Sequence, residues 1–148
     1  MTVPDPLALE NQVCFALAVA ARSVVGLYRP LLEPLGLTHP QYLVMLTLWQ
    51  HATRSIKELG EALQLDPATV SPLVKRLETD GLVTRVRSPD DERVLIVGLT
   101  GEGVALRERA MLVPGAVVER LRIGTTELEG LRDVLIRFIT ASNAATRQ

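Results

Sequence analysis

The chain has 148 residues with one cysteine, two histidines and a formal net charge of −1 at pH 7. This length fits one domain with a real hydrophobic core, and a lone cysteine excludes an internal disulfide bond. The near-zero charge argues against a general polyanion binder, so a nucleic-acid surface would need charges sorted onto one face. Hydrophobic residues form 47% of the chain and aromatic residues only 3%, which indicates aliphatic helices with an interface left to bury.

The chain lacks the sequence features that are typical of several classes of protein. No signal peptide opens the chain and no run reaches ~18 apolar residues, so we expect no membrane partner and a cytoplasmic location. No carboxylate pair, metal-ligand cluster or phosphate-binding loop stands out. The two histidines, His39 and His51, are too few and too isolated to hold a metal. The sequence therefore predicts no cofactor and no metal site.

The first predicted element is a long N-terminal helix. Asp5 is a candidate N-cap and Pro6 suits a first helical turn. The apolar spacing that follows is helical from Leu7 to about Leu32. A terminal helix rich in Ala, Val and Leu is typical of an interface with a second chain. Cys14 is expected about two turns inside it, where the residues alone favour a buried structural thiol over a reactive one.

Two capping boxes mark the next helix starts. In such a box, a Ser or Thr side chain and a Glu or Gln three residues later each accept a hydrogen bond from the other residue's backbone N–H. Thr38 with Gln41 predicts one helix, and Ser55 with Glu58 predicts a second, shorter one. The link between them, residues 52–54, is expected to add a short strand to a nearby sheet.

The chain after Gln64 predicts the second half of a helix-turn-helix. Asp66 is a candidate N-cap, Pro67 fits the first turn, and Gly81 ends the helix. The face opposite the apolar stripe carries hydroxyls near its start and cations further on, which suit base edges and phosphates. The candidate DNA-contacting residues on this face are Thr69, Ser71, Pro72, Lys75 and Arg76.

A change from helical to alternating spacing predicts a β-hairpin next. Val83–Arg87 and Val94–Leu99 are the predicted strands, and Ser88–Asp91 between them is a turn signal. Asp91 lies two residues before Arg93 and is expected to orient its guanidinium, which suits a side chain that enters a minor groove. The candidate DNA-contacting residues of the hairpin are Arg85, Arg87 and Arg93.

The order of these elements separates two interpretations. Two amphipathic helices and a hairpin are compatible with a plain α+β core. The succession of helix, turn, helix and basic hairpin favours a winged helix-turn-helix, which places one helix in the major groove of DNA. Acidic residues match or exceed basic ones within Ser55–Arg93. DNA binding would therefore require the basic residues to lie together on one surface, and dimerisation to double that surface.

The C-terminal third predicts further helices. Thr100 caps one that runs to about Val113 or beyond, and the Pro114-Gly115 pair predicts a kink or break. Thr126 with Glu129 predicts the start of a last helix with a clean apolar stripe. We expect the first and last helices to pack across a two-fold axis as a dimerisation layer. The predicted fold is mainly α (α+β), a winged helix-turn-helix flanked by dimerisation helices.

The motif LDPATVSPLVKRLETDGLVTRVRSPDDERVLIVGLTGEG, Leu65 to Gly103, resembles the MarR family of winged-helix repressors. More narrowly, Glu10 to Gln50 is similar to the OhrR branch, whose members sense organic hydroperoxides through a cysteine near the start of the first helix. Cys14 falls at that position. The resemblance implies one MarR-type domain over residues 1–148, with a winged helix at about 38–99 and dimerisation helices at about 6–35 and 101–145. It also implies a homodimer on double-stranded operator DNA, released when an organic hydroperoxide oxidises the cysteine.

Peroxide attack requires a thiolate, and hydroxyl donors can favour it. The resemblance gives that role to tyrosines, of which Tyr28 is retained, whereas Ala18 and His39 replace two others. Tyr28 lies 14 residues after Cys14, roughly 21 Å along a helix at about 1.5 Å per residue, so it would have to reach Cys14 from the partner subunit. His39 could donate a hydrogen bond instead, or favour the thiolate more strongly if charged.

Three functions remain open at this point. The first is a repressor switched by oxidation of Cys14, completed by a small thiol because no second cysteine can resolve the oxidised form. The second is a repressor released by a small molecule in a cleft reshaped by Ala18 and His39, with Cys14 structural. The third and least favoured is a one-cysteine peroxidase, because residues around Cys14 lack a hydrogen-bonding loop. We expect a regulator and not an enzyme.

Overall fold

The structure is a computed structural model that describes residues 3–147. The chain divides into two compact units, the first ending at Met111 and the second starting at Leu112. The elements of the first unit are α1 Val13–Leu32, α2 His39–His51, β1 Thr53–Ser55, α3 Ile56–Leu63, α4 Pro67–Thr79, β2 Val83–Arg87, β3 Leu95–Leu99 and α5 Gly101–Ala110. Those of the second unit are α6 Val113–Leu121 and α7 Thr125–Thr146.

The predicted capping boxes at α2 and α3 are confirmed. The Thr38 Oγ1 accepts from the Gln41 backbone N–H at 3.4 Å, and the Gln41 Oε1 accepts from the Thr38 backbone N–H at 2.9 Å. Ser55 and Glu58 exchange the same two hydrogen bonds at 3.0 and 2.9 Å. Each box satisfies two backbone donors that a helix start would otherwise leave unpaired, so both helices begin where the sequence predicts.

Helix α4 begins and ends at the predicted residues, with one difference in mechanism. Asp66 occupies the N-cap position, but its side chain makes no capping hydrogen bond. At the other end Gly81 has a φ of 80°, a left-handed conformation that glycine adopts without strain. The Gly81 and Leu82 backbone N–H groups donate to the Glu78 and Leu77 carbonyls, so a Schellman motif turns the chain from helix into strand.

The strands form a three-stranded antiparallel sheet in the order β1-β3-β2. Strands β2 and β3 form the predicted hairpin, with Val83 opposite Leu99 and Arg87 opposite Leu95. Strand β1, between α2 and α3, joins the other edge of β3, as the sequence predicts. The sheet therefore ties the hairpin to the helix-turn-helix, which is the arrangement of a winged helix.

The core of the first unit lies between α2, α4 and the sheet. Its fully buried side chains include Leu32, Val44, Met45, Leu48, Leu59, Val70, Val74, Leu77 and Val97. One polar contact crosses this core, where the Trp49 Nε1 donates to the Gly103 carbonyl at 2.9 Å. A Cβ at Gly103 would collide with the Leu82 carbonyl, so only glycine allows α5 to approach the start of β2 this closely.

The first helix begins later than the sequence predicts. A short 3-10 turn covers Leu9–Asn11, and α1 starts at Val13. The Gln12 side chain explains the delay, because its Nε2 donates to the carbonyls of Pro6 and Ala8 at 2.7 and 3.0 Å and holds a separate turn ahead of the helix. The prediction that Cys14 lies two turns inside the helix is therefore wrong: Cys14 is the second residue of α1.

The predicted break near Pro114 is confirmed, at Met111 and Leu112 between α5 and α6. Thr100 caps α5 as predicted, since its Oγ1 accepts from the Gly103 backbone N–H at 3.0 Å. The predicted capping box of Thr126 is wrong. Helix α7 has Gly124 at its N-cap position without a side-chain cap, which places Thr126 in the first turn, where its hydroxyl is not the N-cap acceptor.

Contrary to the sequence expectation, one helical stretch, Val13–Leu35, is long and apolar enough to cross a membrane by length and composition alone. Helices that pack inside soluble proteins meet the same criterion. This stretch carries Arg22 and Arg29, and most of it is exposed in the single chain. Its composition therefore fits a helix that needs a covering surface, and does not by itself indicate a membrane.

Candidate functional site

The outer face of α4 is the first candidate site. Its inner face is fixed by Val70, Val74 and Leu77, which are fully buried. The helical period then turns the predicted DNA-contacting residues outward. Of these residues, Ser71 is half-buried, and the exposed ones are Thr69, Pro72, Lys75 and Arg76. The surface combines a hydroxyl with two cations on one rigid helix, as the sequence predicts.

The tip of the hairpin presents one arginine to solvent in a fixed orientation. The Arg93 side chain is 90% exposed, and its Nε and Nη2 donate to the two carboxylate oxygens of Asp91 at 3.1 and 3.2 Å. The Arg93 backbone N–H also donates to Asp91, at 3.0 Å. These hydrogen bonds, from the Arg93 side chain first and its backbone second, lower the pKa of Asp91. Asp91 therefore stays ionised and holds the guanidinium, in keeping with its predicted role.

The other two hairpin arginines make contacts that the sequence did not predict. The Arg87 Nη1 donates to the Glu92 carbonyl at 2.8 Å, which closes the hairpin turn and leaves the positive charge exposed. The Arg85 Nε and Nη2 both donate to the Glu78 Oε1, at 3.2 and 3.0 Å. Arg85 is thus directed at the last turn of α4, and its charge is balanced within the chain.

Cys14 forms the second candidate site. It lies in the first turn of α1 and is exposed, which disagrees with a buried structural thiol in the single chain. Its neighbours Val13 and Phe15 are 63% and 41% exposed, so the thiol sits on an apolar surface.

The two residues predicted to assist Cys14 lie together at the far end of α1. The ring of Tyr28 meets that of His39 edge to face, with centroids 5.2 Å apart, and that of Tyr42 at 5.8 Å. Burial raises the pKa of Tyr28, and burial followed by the proximity of Tyr28 raises that of Tyr42. Burial also lowers the pKa of His39. Both phenols are therefore donors at neutral pH and the imidazole is uncharged, so a charged His39 is disfavoured.

Comparison with known proteins identifies the class of this chain. Residues 37–95 match the MarR family model. The organic hydroperoxide resistance transcriptional regulator of Bacillus subtilis is 42% identical over 135 residues, which cover 91% of this chain and 92% of that protein. The chain belongs to the MarR family.

Solved structures of MarR-family proteins agree with the fold. The structure of reduced AbfR bound to DNA, a protein of Staphylococcus epidermidis, has a TM-score of 0.81 and 33% identity, and the match covers 92% of this chain and 93% of that one. The structure of disulfide-formed AbfR has a TM-score of 0.63 and 33% identity, covering 95% and 93%. The winged-helix prediction is therefore confirmed.

Two open clefts of about 500 Å³ each lie in the winged helix of this MarR-family chain. One is lined by α3 and α4 around Lys57 and Thr69, and the other by the start of α2 and the face of α4 around Thr38 and Arg76. Neither is lined by Ala18 or His39, the positions predicted to reshape a ligand pocket. Within residues 3–147 no group of three His, Cys, Asp or Glu residues is arranged to hold a metal ion.

The sequence did not place two residues beside the partners that the structure gives them. Tyr42 lies three residues after His39 on one helix face, a spacing that could have indicated its place beside Tyr28. Glu78 is the other, because its partner Arg85 lies beyond the turn that ends α4. Only the direction of the chain after Gly81 brings the two together, and no spacing rule predicts that direction.

Proposed function

We propose that this chain is a redox-sensing transcriptional repressor. A homodimer would bind double-stranded operator DNA through α4 and the hairpin, and oxidation of Cys14 by an organic hydroperoxide would release it. The observation that carries this proposal is the lone cysteine, exposed in the first turn of α1, in a chain 42% identical to an organic hydroperoxide resistance regulator. As a regulator of genes it would act in the cytoplasm, and we infer no catalytic turnover.

On the DNA side, the proposal assigns one role to each exposed group. Helix α4 presents Thr69, Ser71 and Pro72 near its start, where a recognition helix meets base edges, and Lys75 and Arg76 further along, where phosphates lie. Arg93, oriented by Asp91, would enter the minor groove beside the site. Arg87 has an exposed charge that would contact the phosphate backbone of the DNA. Two copies would present these surfaces to two half-sites of the operator.

On the sensing side, the thiolate sulfur of Cys14 would attack the terminal oxygen of the hydroperoxide. The S–O bond forms as the O–O bond breaks, and the alkoxide takes up a proton to leave as an alcohol. The product is a sulfenic acid, which a small thiol converts to a mixed disulfide with loss of water. No second thiol lies in the same chain, so a thiol from solution would supply this step.

The hydroxyl that assists this step would come from Tyr28 of the partner subunit. Within one chain Cys14 and Tyr28 lie near opposite ends of α1, roughly 21 Å apart at about 1.5 Å per residue. The raised pKa of Tyr28 keeps its phenol protonated and able to donate. His39, with its lowered pKa and its edge-to-face contact, would orient the ring of Tyr28 and not supply a charge.

The alternative of a ligand-released repressor is not favoured. AbfR, which shares 33% identity with this chain, has been solved in a reduced DNA-bound form and in a disulfide form. These two forms support a signal that arrives at the cysteine.

The proposal is tested by a band-shift with the protein's own upstream DNA, with and without an organic hydroperoxide plus a small thiol. We expect binding in roughly the nanomolar range with steep salt dependence, and release on oxidation. Cys14→Ser should bind as tightly and resist release. Release of Cys14→Ser by the same oxidant would overturn the cysteine switch, and tight binding that ignores oxidant in the wild type would move the signal to a ligand.

A further inference from the structure

The contact between Arg85 and Glu78 spans the junction of the two DNA-reading elements. Glu78 lies in the last turn of α4 and Arg85 in the middle of β2. Two guanidinium nitrogens converge on one carboxylate oxygen at 3.0 and 3.2 Å. The contact therefore closes the loop of chain that leads from the recognition helix into the hairpin.

Other contacts make this junction a defined turn and not a loose link. The Schellman motif fixes the path through Gly81, and the Gly81 carbonyl accepts from the Thr100 Oγ1 at 2.6 Å. These bonds fix the backbone at the root of the hairpin. The contact between Glu78 and Arg85 lies further along the chain, between the last turn of α4 and the middle of β2.

The charges of Glu78 and Arg85 affect both helix α4 and the DNA-binding surface. Glu78 lies near the negative end of the α4 dipole, where a carboxylate is unfavourable without a cation. On a DNA-binding surface the same carboxylate would also repel phosphates. Arg85 offsets both effects and is 24% exposed, against 90% for Arg93, so solvent screens it less. A planar guanidinium also fixes the angle between two groups, which a lysine does not.

We propose that Arg85 and Glu78 are positioning residues that set the angle of the hairpin against α4, so that Arg93 reaches the minor groove while α4 is in the major groove. Arg85 then acts through Arg93 and makes no DNA contact of its own. This inference rests on the proposed DNA-binding function. It replaces the interpretation of Arg85 as a direct DNA contact.

The test compares operator binding by Glu78→Gln and Arg85→Met as a function of salt. Positioning predicts weaker binding for both, by roughly 2- to 5-fold, because a partly exposed ion pair contributes modestly. It predicts no change in the salt slope. A lost phosphate contact would instead lower the slope by about 1 for each site. A lower slope in Arg85→Met, or binding by Glu78→Gln as tight as that of the wild type, would overturn the inference.

Two controls separate geometry from charge. Asp80→Asn removes an exposed acid from the same end of α4 and should leave binding equal or slightly tighter, although Glu78→Gln, which removes the same charge, weakens it. Arg85→Lys keeps the cation but loses the planar fork. It should behave like Arg85→Met if the residue positions the hairpin. Full recovery of affinity with lysine would indicate a phosphate contact and overturn the proposal.

The decisive readout is the coupling of Glu78 to Arg93, which do not contact each other. If the pair acts through the hairpin tip, the loss caused by Arg93→Ala should shrink in the Glu78→Gln background. Additive losses would overturn the proposal. Thermal unfolding of each variant checks that folding is retained. If the wild type fails to bind its upstream DNA, the proposed function fails, whereas binding with additive losses removes only this inference.

Discussion

The segment from Thr53 to Gly103 and the helix α1 differ in how many of their functional contacts one chain supplies. In the first, the capping box at Ser55, the Schellman turn at Gly81 and the carboxylate of Asp91 hold the exposed groups in place. In α1, the cysteine and its proposed hydroxyl donor lie near opposite ends of one helix. A single chain thus holds the proposed DNA-contacting groups in place but separates the parts of the proposed sensing site.

This difference has a physical origin. A winged helix buries its own apolar faces, so its geometry is set by local caps and a small core. Helix α1 exposes Val13, Phe15, Val24 and Val25 in the single chain. Burying these side chains requires a second surface, and the sensing site would be assembled by the same event. The predictions that follow test each side of this contrast.

The largest effect is expected for Gly103→Ala. The added Cβ would collide with the Leu82 carbonyl, which is backbone and cannot move aside cheaply. We expect a loss of about 3 kcal/mol in the free energy of unfolding, the upper part of the range for overpacking, together with loss of operator binding. Denaturant unfolding measures it. Gly101→Ala is the control, because a Cβ there meets nothing within 4 Å. Equal stability of the two variants would contradict the close approach of α5 to β2.

Arg93→Ala should weaken operator binding next most strongly. Loss of an oriented arginine contact costs about 1–3 kcal/mol, which corresponds to roughly 5- to 150-fold in affinity. Folding should be unaffected, because the side chain is 90% exposed. Fluorescence anisotropy with labelled operator measures the change. Arg120→Ala removes an exposed arginine outside the winged helix and should bind within about twofold of wild type. Equal losses in the two variants would point to net charge and not to the hairpin tip.

On the sensing side, Tyr28→Phe should slow release by organic hydroperoxide about tenfold without changing binding by the reduced protein. The hydroxyl is lost but the ring still packs on His39 and Tyr42. A hydrogen bond to a charged group contributes about 1.5 kcal/mol or more, which sets this magnitude. Stopped-flow release from labelled DNA measures the rate. Tyr42→Phe is the matched control, and an equal slowing there would remove the special role of Tyr28.

A smaller effect, and one that increases stability, is expected for Ala52→Gly. Ala52 joins α2 to β1 with φ 65° and ψ −52°, a conformation that strains any residue with a Cβ. Relief of this strain should exceed the added entropy of glycine in the unfolded chain, for a net gain of up to about 1 kcal/mol. Chemical denaturation measures it. Ala62→Gly, at an exposed position of α3, should lose about 1 kcal/mol instead. A loss in both variants would contradict the strain.

The smallest effect concerns pH and His39. Its pKa is lowered by burial in the folded chain, so the unfolded chain binds its proton more readily. Stability should be complete above the ordinary histidine pKa of about 6.5 and decline as pH falls below it. His39→Gln should flatten this part of the profile, measured by denaturant midpoints between about pH 7 and 5. An unchanged slope would contradict burial of the imidazole beside Tyr28.

Interactions between residues close in sequence were predictable. The boxes of Thr38 with Gln41 and Ser55 with Glu58 need only a spacing of three, and the oriented Arg93 needs only a neighbouring acid. The same spacing failed at Thr126, where the helix had already begun one residue earlier. A capping pattern indicates a helix start only where the chain before it is not already helical.

Contacts set by the path of the chain were not predictable. The depth of Cys14 in α1 depends on Gln12, whose side chain bonds backward to Pro6 and Ala8 and delays the helix. The pair of Glu78 and Arg85 depends on the turn between them, and the contact of Tyr28 with His39 depends on how α1 meets α2. Each of these needs a direction in space that sequence spacing does not contain.

The lone cysteine also affects how long the oxidised state of the protein would last. Because no second thiol lies in the chain, recovery from the proposed oxidation would depend on how much free thiol surrounds the protein. With thiol abundant, the proposed mixed disulfide would form and would be reversible. With thiol depleted, further peroxide would carry the sulfenic acid to sulfinic and sulfonic acids, which are not readily reversed. Oxidation of this one residue would then be reversible after brief exposure to peroxide and irreversible after prolonged exposure.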